Sequence, residues 1–175
     1  MNEIITAIRE RRSCRKFKAD MPSSADLDQI VEAGLYAASG RGRQASIVLK
    51  VTNKELRDRL SAMNARIWGK PGDVDPFFGA PAILVVLADR TVPTYVYDGS
   101  LTMGNMMLAA ESLGLASIWI HRAKEEFDSE EGKQILKDLG VEGDYEGIGH
   151  CAVGYWDCEK PEPPARRDGR VFSAE

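Results

Sequence analysis

The sequence predicts an α+β fold. Segments with apolar residues at helical spacing open the chain and return around 96–113 and 129–139. Short β-branched and leucine-rich runs lie at 47–51, 83–87, 117–120 and 148–155. The two kinds of segment alternate without the regular strand–helix–strand rhythm of a parallel sheet. No internal repeat and no composition break divides the chain, so residues 1–175 are expected to form one domain.

Taken in order, residues 3–11 put Ile4, Ile5 and Ile8 on one helical face, with Asn2 as a cap. Pro22 breaks the chain, and Ser23 or Ser24 can cap a second helix over 25–38. Its Leu27, Ile30, Val31, Leu35 and Ala38 form an apolar stripe. Gly34 falls on that stripe, where it costs helix propensity but lets a neighbour approach closely. Residues 39–44 contain two glycines and no periodicity and read as a loop. The strand 47–51 is followed by a helix with Leu56, Leu60, Met63 and Ile67 on one side. Residues 69–81, rich in Gly and Pro, read as a long loop. That loop is either functional or a connector whose Phe77 and Phe78 cover the core.

The run 83–87 has the character of a strand buried on both faces. Residues 96–113 are helical and apolar nearly all round, including Met103, Met106, Met107 and Leu108; such a helix belongs in the core or at a large subunit interface. Gly114 ends it, a short strand follows at 117–120, and Gly140 closes a helix over 129–139. Residues 148–155 form the last main strand. Pro161, Pro163 and Pro164 favour an extended arm over 159–175.

Apolar residues make up 43% of the chain and charged residues 29%, the balance of an ordinary globular protein. The 23 Lys plus Arg against 27 Asp plus Glu leave a net charge of −4, which argues against a nucleic-acid or membrane-surface binder. Basic residues cluster instead at 9–18, 41–43 and 166–170, as suits a small anionic ligand. The longest apolar run, 82–88, is too short to cross a bilayer, and Glu3, Arg9 and Glu10 interrupt any apolar run that could serve as a signal-peptide core. The three cysteines, Cys14, Cys151 and Cys158, show no paired zinc spacing, and a reducing cytoplasm fits them best. Cys151 reads as a small buried hydrophobe. Cys14, among arginines, has either a lowered thiol pKa or an incidental place in a ligand loop.

The richest segment chemically is Arg11-Arg12-Ser13-Cys14-Arg15-Lys16-Phe17, with four cations and a hydroxyl where the first helix should stop. Guanidinium groups match phosphate oxygens in a fork, whereas a solvated basic helix end is the plainer reading of such a run. Its company decides between them. Ala37 to Gln44, the helix around Asn105, the run Leu113 to His121, and Arg166-Arg167 follow in an order and spacing that resembles the nitroreductase family of flavin oxidoreductases, from about Ile4 to Phe172.

That resemblance implies a central, mostly antiparallel sheet wrapped by helices in an intertwined homodimer, with FMN as cofactor and NAD(P)H as co-substrate. It implies hydride transfer through flavin N5 to a small electron-poor acceptor such as a nitroaromatic or quinone, with no metal. By the same resemblance Arg11, Arg12 and Ser13 hold the phosphate and ribityl end, Arg166 or Arg167 closes that pocket, and Arg15 faces the pyrimidine edge. Ser39, Gly40 and Gln44 belong to a ring-binding loop in which Gly42 and Ala45 replace the usual Asn and Pro. Trp119, Ile120 and His121 align with the strand end beside N5, where a backbone N–H commonly serves. His121 is either a proton donor or a pocket-lining side chain. His150 reads as a satisfied core histidine. Two alternatives stay open: a flavin-carrying module without nicotinamide turnover, and a phosphate-ligand module without redox activity.

Overall fold

Residues 82–89 explain the architecture. All the side chains from Ala82 to Ala88 are apolar, and none is exposed. A strand with no polar face needs cover on both sides. In the computed structural model, which describes residues 2–70, 72 and 74–174, this run is β2 (Ala82–Asp89), an inner strand of a four-stranded sheet. The other strands are β1 (Ser46–Val51), β3 (Ala116–Ile120) and β4 (Tyr145–Gly154), in the order β1-β2-β4-β3. Every pair is antiparallel, with one register shift between Val86 and Leu87.

Alternation along β2 divides the core in two. Ile83, Val85 and Leu87 face Leu60, Met63, Phe77 and Phe127. Leu84, Val86 and Ala88 belong with Ile30, Met103 and Met106. The first side is covered by α3 (Lys54–Ile67), α5 (Ala123–Asp128) and α6 (Glu130–Asp138), the second by α2 (Ser24–Leu35) and α4 (Tyr95–Ser112). Gly34 lets α2 approach α4: a Cβ there would lie 2.5 Å from Met106 Cγ.

Caps explain the helix starts. Asn2 accepts from the Ile4 N–H at 2.8 Å to open α1 (Glu3–Glu10), and Ser23 accepts from the Asp26 N–H at 3.0 Å to open α2. Gly114 and Gly140, both at φ 73°, close α4 and α6.

Several elements differ from the sequence expectation. α2 stops at Leu35 rather than 38, because Tyr36 turns the chain, and Leu35 faces solvent. None of the residues of α1 is buried; Ile4, Ile5 and Ile8 form an apolar face without cover in a single chain. α5 was not anticipated, and β4 begins three residues early, at Tyr145. In the 69–81 loop, Phe77 is fully buried and stacks 5.2 Å from His150, so this aromatic covers core. Asp75 clasps the loop, accepting from Arg57, from Ser61 Oγ at 2.7 Å, and from the N–H groups of Phe77 and Gly79.

Residues 13–18 stitch the two ends of the chain to the sheet. Ser13 bridges Ser117 on β3, and Phe17 bridges Trp156 just after β4. The Cys14 N–H donates to Ser117 O at 3.0 Å, and the Lys18 N–H to Tyr155 O at 3.0 Å. Beyond Asp157 the described residues form no helix or strand and run as a largely exposed arm. Among the described residues no helix is long and apolar enough to cross a membrane.

Candidate functional site

The end of α1 and the pairing of Ser13 with β3 hold the arginine segment in a fixed extended path. A cavity of about 300 Å³ is lined by Arg11, Arg12, Ser13 and Arg15 together with Pro161, Glu162, Pro164 and Arg166 of the arm. Four of the five cationic or hydroxyl groups assigned from sequence to the phosphate end, plus Arg15, therefore meet there; Arg167 does not line it. Arg12 is only 9% exposed. Its Nη1 donates to the Arg11 carbonyl, but its Nε and Nη2 are buried without a partner, as is Arg11 Nη1. Buried donors without acceptors are rare and costly, and the two residues that carry them line a cavity sized for a small anion.

The Ser39–Gln44 loop is built separately. Arg41, Gly42 and Gln44 all adopt positive φ (55°, 66° and 50°), around a short helical turn, Gly40–Gly42. Buried Asp98 of α4 pins it: Oδ1 accepts from the Gly40 N–H at 3.1 Å and Oδ2 from Thr94 Oγ1 at 3.0 Å. Only Gly fits at position 40, since a Cβ would lie 2.3 Å from Thr94 Oγ1. Ser39 Oγ accepts from the Gln44 N–H at 3.0 Å. Gly42 has no atom within 4 Å of where its Cβ would stand, so the residue that replaces the usual Asn leaves open space. Gln44 lines a second cavity with Asp28, Val31, Glu32, Leu35 and Tyr36, apart from the arginines.

The third group, Trp119 to His121, ends β3. Trp119 packs partly buried on the α4 side, and Ile120 is buried on the α3 side, as the alternation of a strand requires. His121 is exposed. Arg122 takes a left-handed conformation at φ 79° to start α5. A buried network fixes this turn. Asn64 Nδ2 donates to His121 O at 2.9 Å and also to Glu126 Oε1, while Asn64 Oδ1 accepts from Arg122 Nε at 2.8 Å. His150 Nε2 lies 3.0 Å from Glu126 Oε2, and its Nδ1 lies 3.4 Å from Ile120 O. Sequence reasoning placed His150 as a satisfied core histidine but missed Asn64 and Glu126. The available signal was a polar Asn64 one helical turn after Leu60, on the apolar side of α3.

A lowered thiol pKa for Cys14 is overturned. The side chain is fully buried, and burial pushes its thiol up to about 11. Burial likewise pushes Cys151 up to about 12.

A family model described as the Nitroreductase family matches residues 8–155. A crystal structure of a nitroreductase with bound FMN from Bacteroides fragilis superposes with a TM-score of 0.89 at 28% identity over 100% of both chains. One from Desulfitobacterium hafniense, also a nitroreductase with bound FMN, gives 0.89 at 32% identity, again over 100% of both. A protein of Archaeoglobus fulgidus, provisionally named an NADH dehydrogenase/NAD(P)H nitroreductase, is 28% identical over 91% of this chain and 89% of its own length. An NADPH-flavin oxidoreductase of Vibrio harveyi is 32% identical over 69% of this chain. The match spans 54% of that relative, about half its length.

Proposed function

The chain belongs to the nitroreductase family, and we propose that it is an FMN-dependent oxidoreductase acting as a cytoplasmic homodimer, with residues 1–175 as one FMN-binding domain. One observation carries the reading: Arg11 and Arg12, which hold buried, unpartnered donors, line a cavity together with Ser13, Arg15 and Arg166. A phosphate monoester supplies the acceptors those donors lack, in the bidentate geometry guanidinium prefers. Two such contacts stabilise binding by about 1.5–3 kcal/mol each.

When bound, FMN supplies two-electron transfer between NAD(P)H and an electron-poor acceptor, of which nitroaromatics and quinones are the proposed class. The chain's own groups do the rest. Arg11, Arg12, Ser13 and Arg166 hold the phosphate end, with Arg166 rather than Arg167 supplied by the arm. Arg15 brings a fixed positive charge toward the ring, which favours a reduced, anionic form. The Ser39, Gly40 and Gln44 loop is held rigid by Asp98, which takes the Gly40 N–H, and by Ser39, which takes the Gln44 N–H; it offers the Gln44 side-chain amide to the ring. Trp119, Ile120 and His121 present backbone polar atoms at the β3 end, with the His121 imidazole as candidate proton donor.

The arginines and the Gln44 loop line different cavities of one chain, and this supports a site completed by a second copy. So do the uncovered apolar side chains of α1 and the exposed Val96, Tyr97 and Leu101 of α4. Light scattering of the flavin-loaded protein is expected to give twice the 19.3 kDa chain mass; a monomer retaining flavin contradicts this. Replacing Arg11 and Arg15 together is expected to abolish FMN uptake while the fold survives, and full occupancy in that variant defeats the site assignment. The open space at Gly42 favours one second reading, a flavin-carrying module that does not turn over nicotinamide. Anaerobic bleaching of the bound flavin by NADH or NADPH selects the enzyme, and its absence with both selects the carrier.

A further inference from the structure

Two of the three cysteines meet where the arm leaves the sheet. Phe17 and Trp156 form an antiparallel bridge, flanked by the Lys18 N–H donating to Tyr155 O at 3.0 Å and the Asp157 N–H donating to Lys16 O at 3.1 Å. The segments 14–18 and 155–158 thus run side by side like neighbouring strands, about 4.7–4.9 Å apart. Cys14 Sγ donates to that same Lys16 carbonyl at 3.1 Å. The Cys14 sulfur and the Asp157 amide therefore converge on one oxygen, which puts them within about 6 Å of each other. Cys158 is the next residue. Its place is held from both sides, by the Lys16–Asp157 ion pair at 3.0 Å and by Lys160 pairing with Glu111 of α4. Cys158 is exposed, whereas Cys14 lies beneath it, fully buried. Cys158 also acts electrostatically on the Cys14 thiol.

We propose that Cys14 and Cys158 are a dithiol that hydrogen peroxide closes to an intramolecular disulfide, tying the C-terminal arm to the arginine segment. Exposure makes Cys158 the attacking residue, and the Cys14 thiol, held protonated by burial, the resolving one. The Cys158 sulfur attacks one peroxide oxygen and the O–O bond breaks. The departing hydroxide takes the thiol proton and leaves as water, and Cys158 is now a sulfenic acid. The Cys14 sulfur then attacks the Cys158 sulfur. An S–S bond forms, the S–O bond breaks, and hydroxide leaves with the Cys14 proton as a second water. Each cysteine sulfur is oxidised by one electron, and the peroxide is reduced by two. Cys151 takes no part, since it is buried inside β4 in the core layer on the α4 side, whereas Cys14 belongs to the layer on the α3 side.

The bond would fix the arm just before Pro161, Glu162, Pro164 and Arg166, which line the arginine cavity. The proposal needs no cofactor and stands or falls apart from the FMN reading.

The test uses the wild-type chain, so folding of a variant is not at issue. Fully reduced protein is treated with one equivalent of hydrogen peroxide, and intact mass, thiol count in denaturant and peptide map are recorded. The expected result is a monomeric species lighter by about 2 Da, with the three thiols reduced to one, a linked Cys14–Cys158 peptide, and full reversal by dithiothreitol. Cys158→Ser is expected to show no linked peptide. Three results overturn the proposal: Cys158 gaining about 32 Da as sulfinic acid with Cys14 still reduced, a Cys158–Cys158 link between copies, or no change in thiol count.

Discussion

Arg12 is a place where binding and stability should pull in opposite directions. The residue is 9% exposed, and two of its donor nitrogens, Nε and Nη2, are buried without an acceptor. Each buried, unsatisfied donor costs about 1–3 kcal/mol. Arg12→Met keeps a long unbranched stem of comparable reach and removes both orphans. Loss of stem packing offsets part of the gain, leaving a net stabilisation of the flavin-free protein of about 2 kcal/mol. For a chain of this size that is a rise of about 4–8 °C in Tm. The same change removes a charge-assisted phosphate contact worth about 1.5–3 kcal/mol, a weakening of FMN binding of about 10- to 150-fold. Differential scanning fluorimetry of the stripped protein reads the first quantity, and quenching of flavin fluorescence on titration reads the second. A variant with lower Tm and unchanged FMN affinity refutes the reasoning, because Arg12 would then be a structural cation and its orphaned donors no sign of a ligand.

Three further perturbations probe the scaffold that presents the site. Gly147→Ala would place a Cβ 2.2 Å from the Ala123 carbonyl, backbone that cannot yield, so α5 must shift at a cost of about 1–3 kcal/mol or more; an unchanged urea midpoint contradicts this. Asn64→Ala strips donors from His121 O and Glu126 and an acceptor from Arg122 Nε, and unfolding free energy should fall by about 1–3 kcal/mol, with no loss sinking the proposed support of the β3 end. At Asp75 burial opposes ionisation, but hydrogen bonds from Arg57, Ser61 and the Gly79 and Phe77 amides outweigh it and hold the carboxyl below its usual range. A depressed folded pKa contributes stability that is complete above the unfolded value, about 3.9, and is lost as pH falls through the folded one. Asp75→Asn should therefore destabilise at pH 7, with the gap to wild type closing as pH drops below about 4; a gap that stays constant with pH shows the carboxylate charge to be irrelevant.

The parts of the fold readable in sequence were those set by local pattern. The β2 run has no polar residue before Asp89, so its double burial followed from composition alone, and Asn2, Ser23, Gly114 and Gly140 marked helix ends by their own backbone chemistry. What escaped depends on distant contacts. α5 has only six residues and begins at a left-handed Arg122, without a capping side chain, because Asn64 holds that turn from 58 residues away. The start of β4 was hidden by Gly147, a weak strand former that is there because Ala123 comes so close. The neighbouring arginines left a lowered thiol pKa open for Cys14, yet its burial sets the opposite direction. At the site, the sequence led to the expectation that the arginine segment and Arg166 meet, and the structure gathers them around one cavity. The clasp of Gly40 by Asp98 was not, since nothing local distinguishes Asp98 from any acid in the first turn of a helix.

The central claim is that the arginine cavity holds the phosphate of FMN. The most direct test is an absorption spectrum of the freshly purified protein, with mass identification of whatever acid releases. The account predicts a two-band flavin spectrum and released FMN near one per chain. A colourless protein that also takes up no added FMN would contradict it.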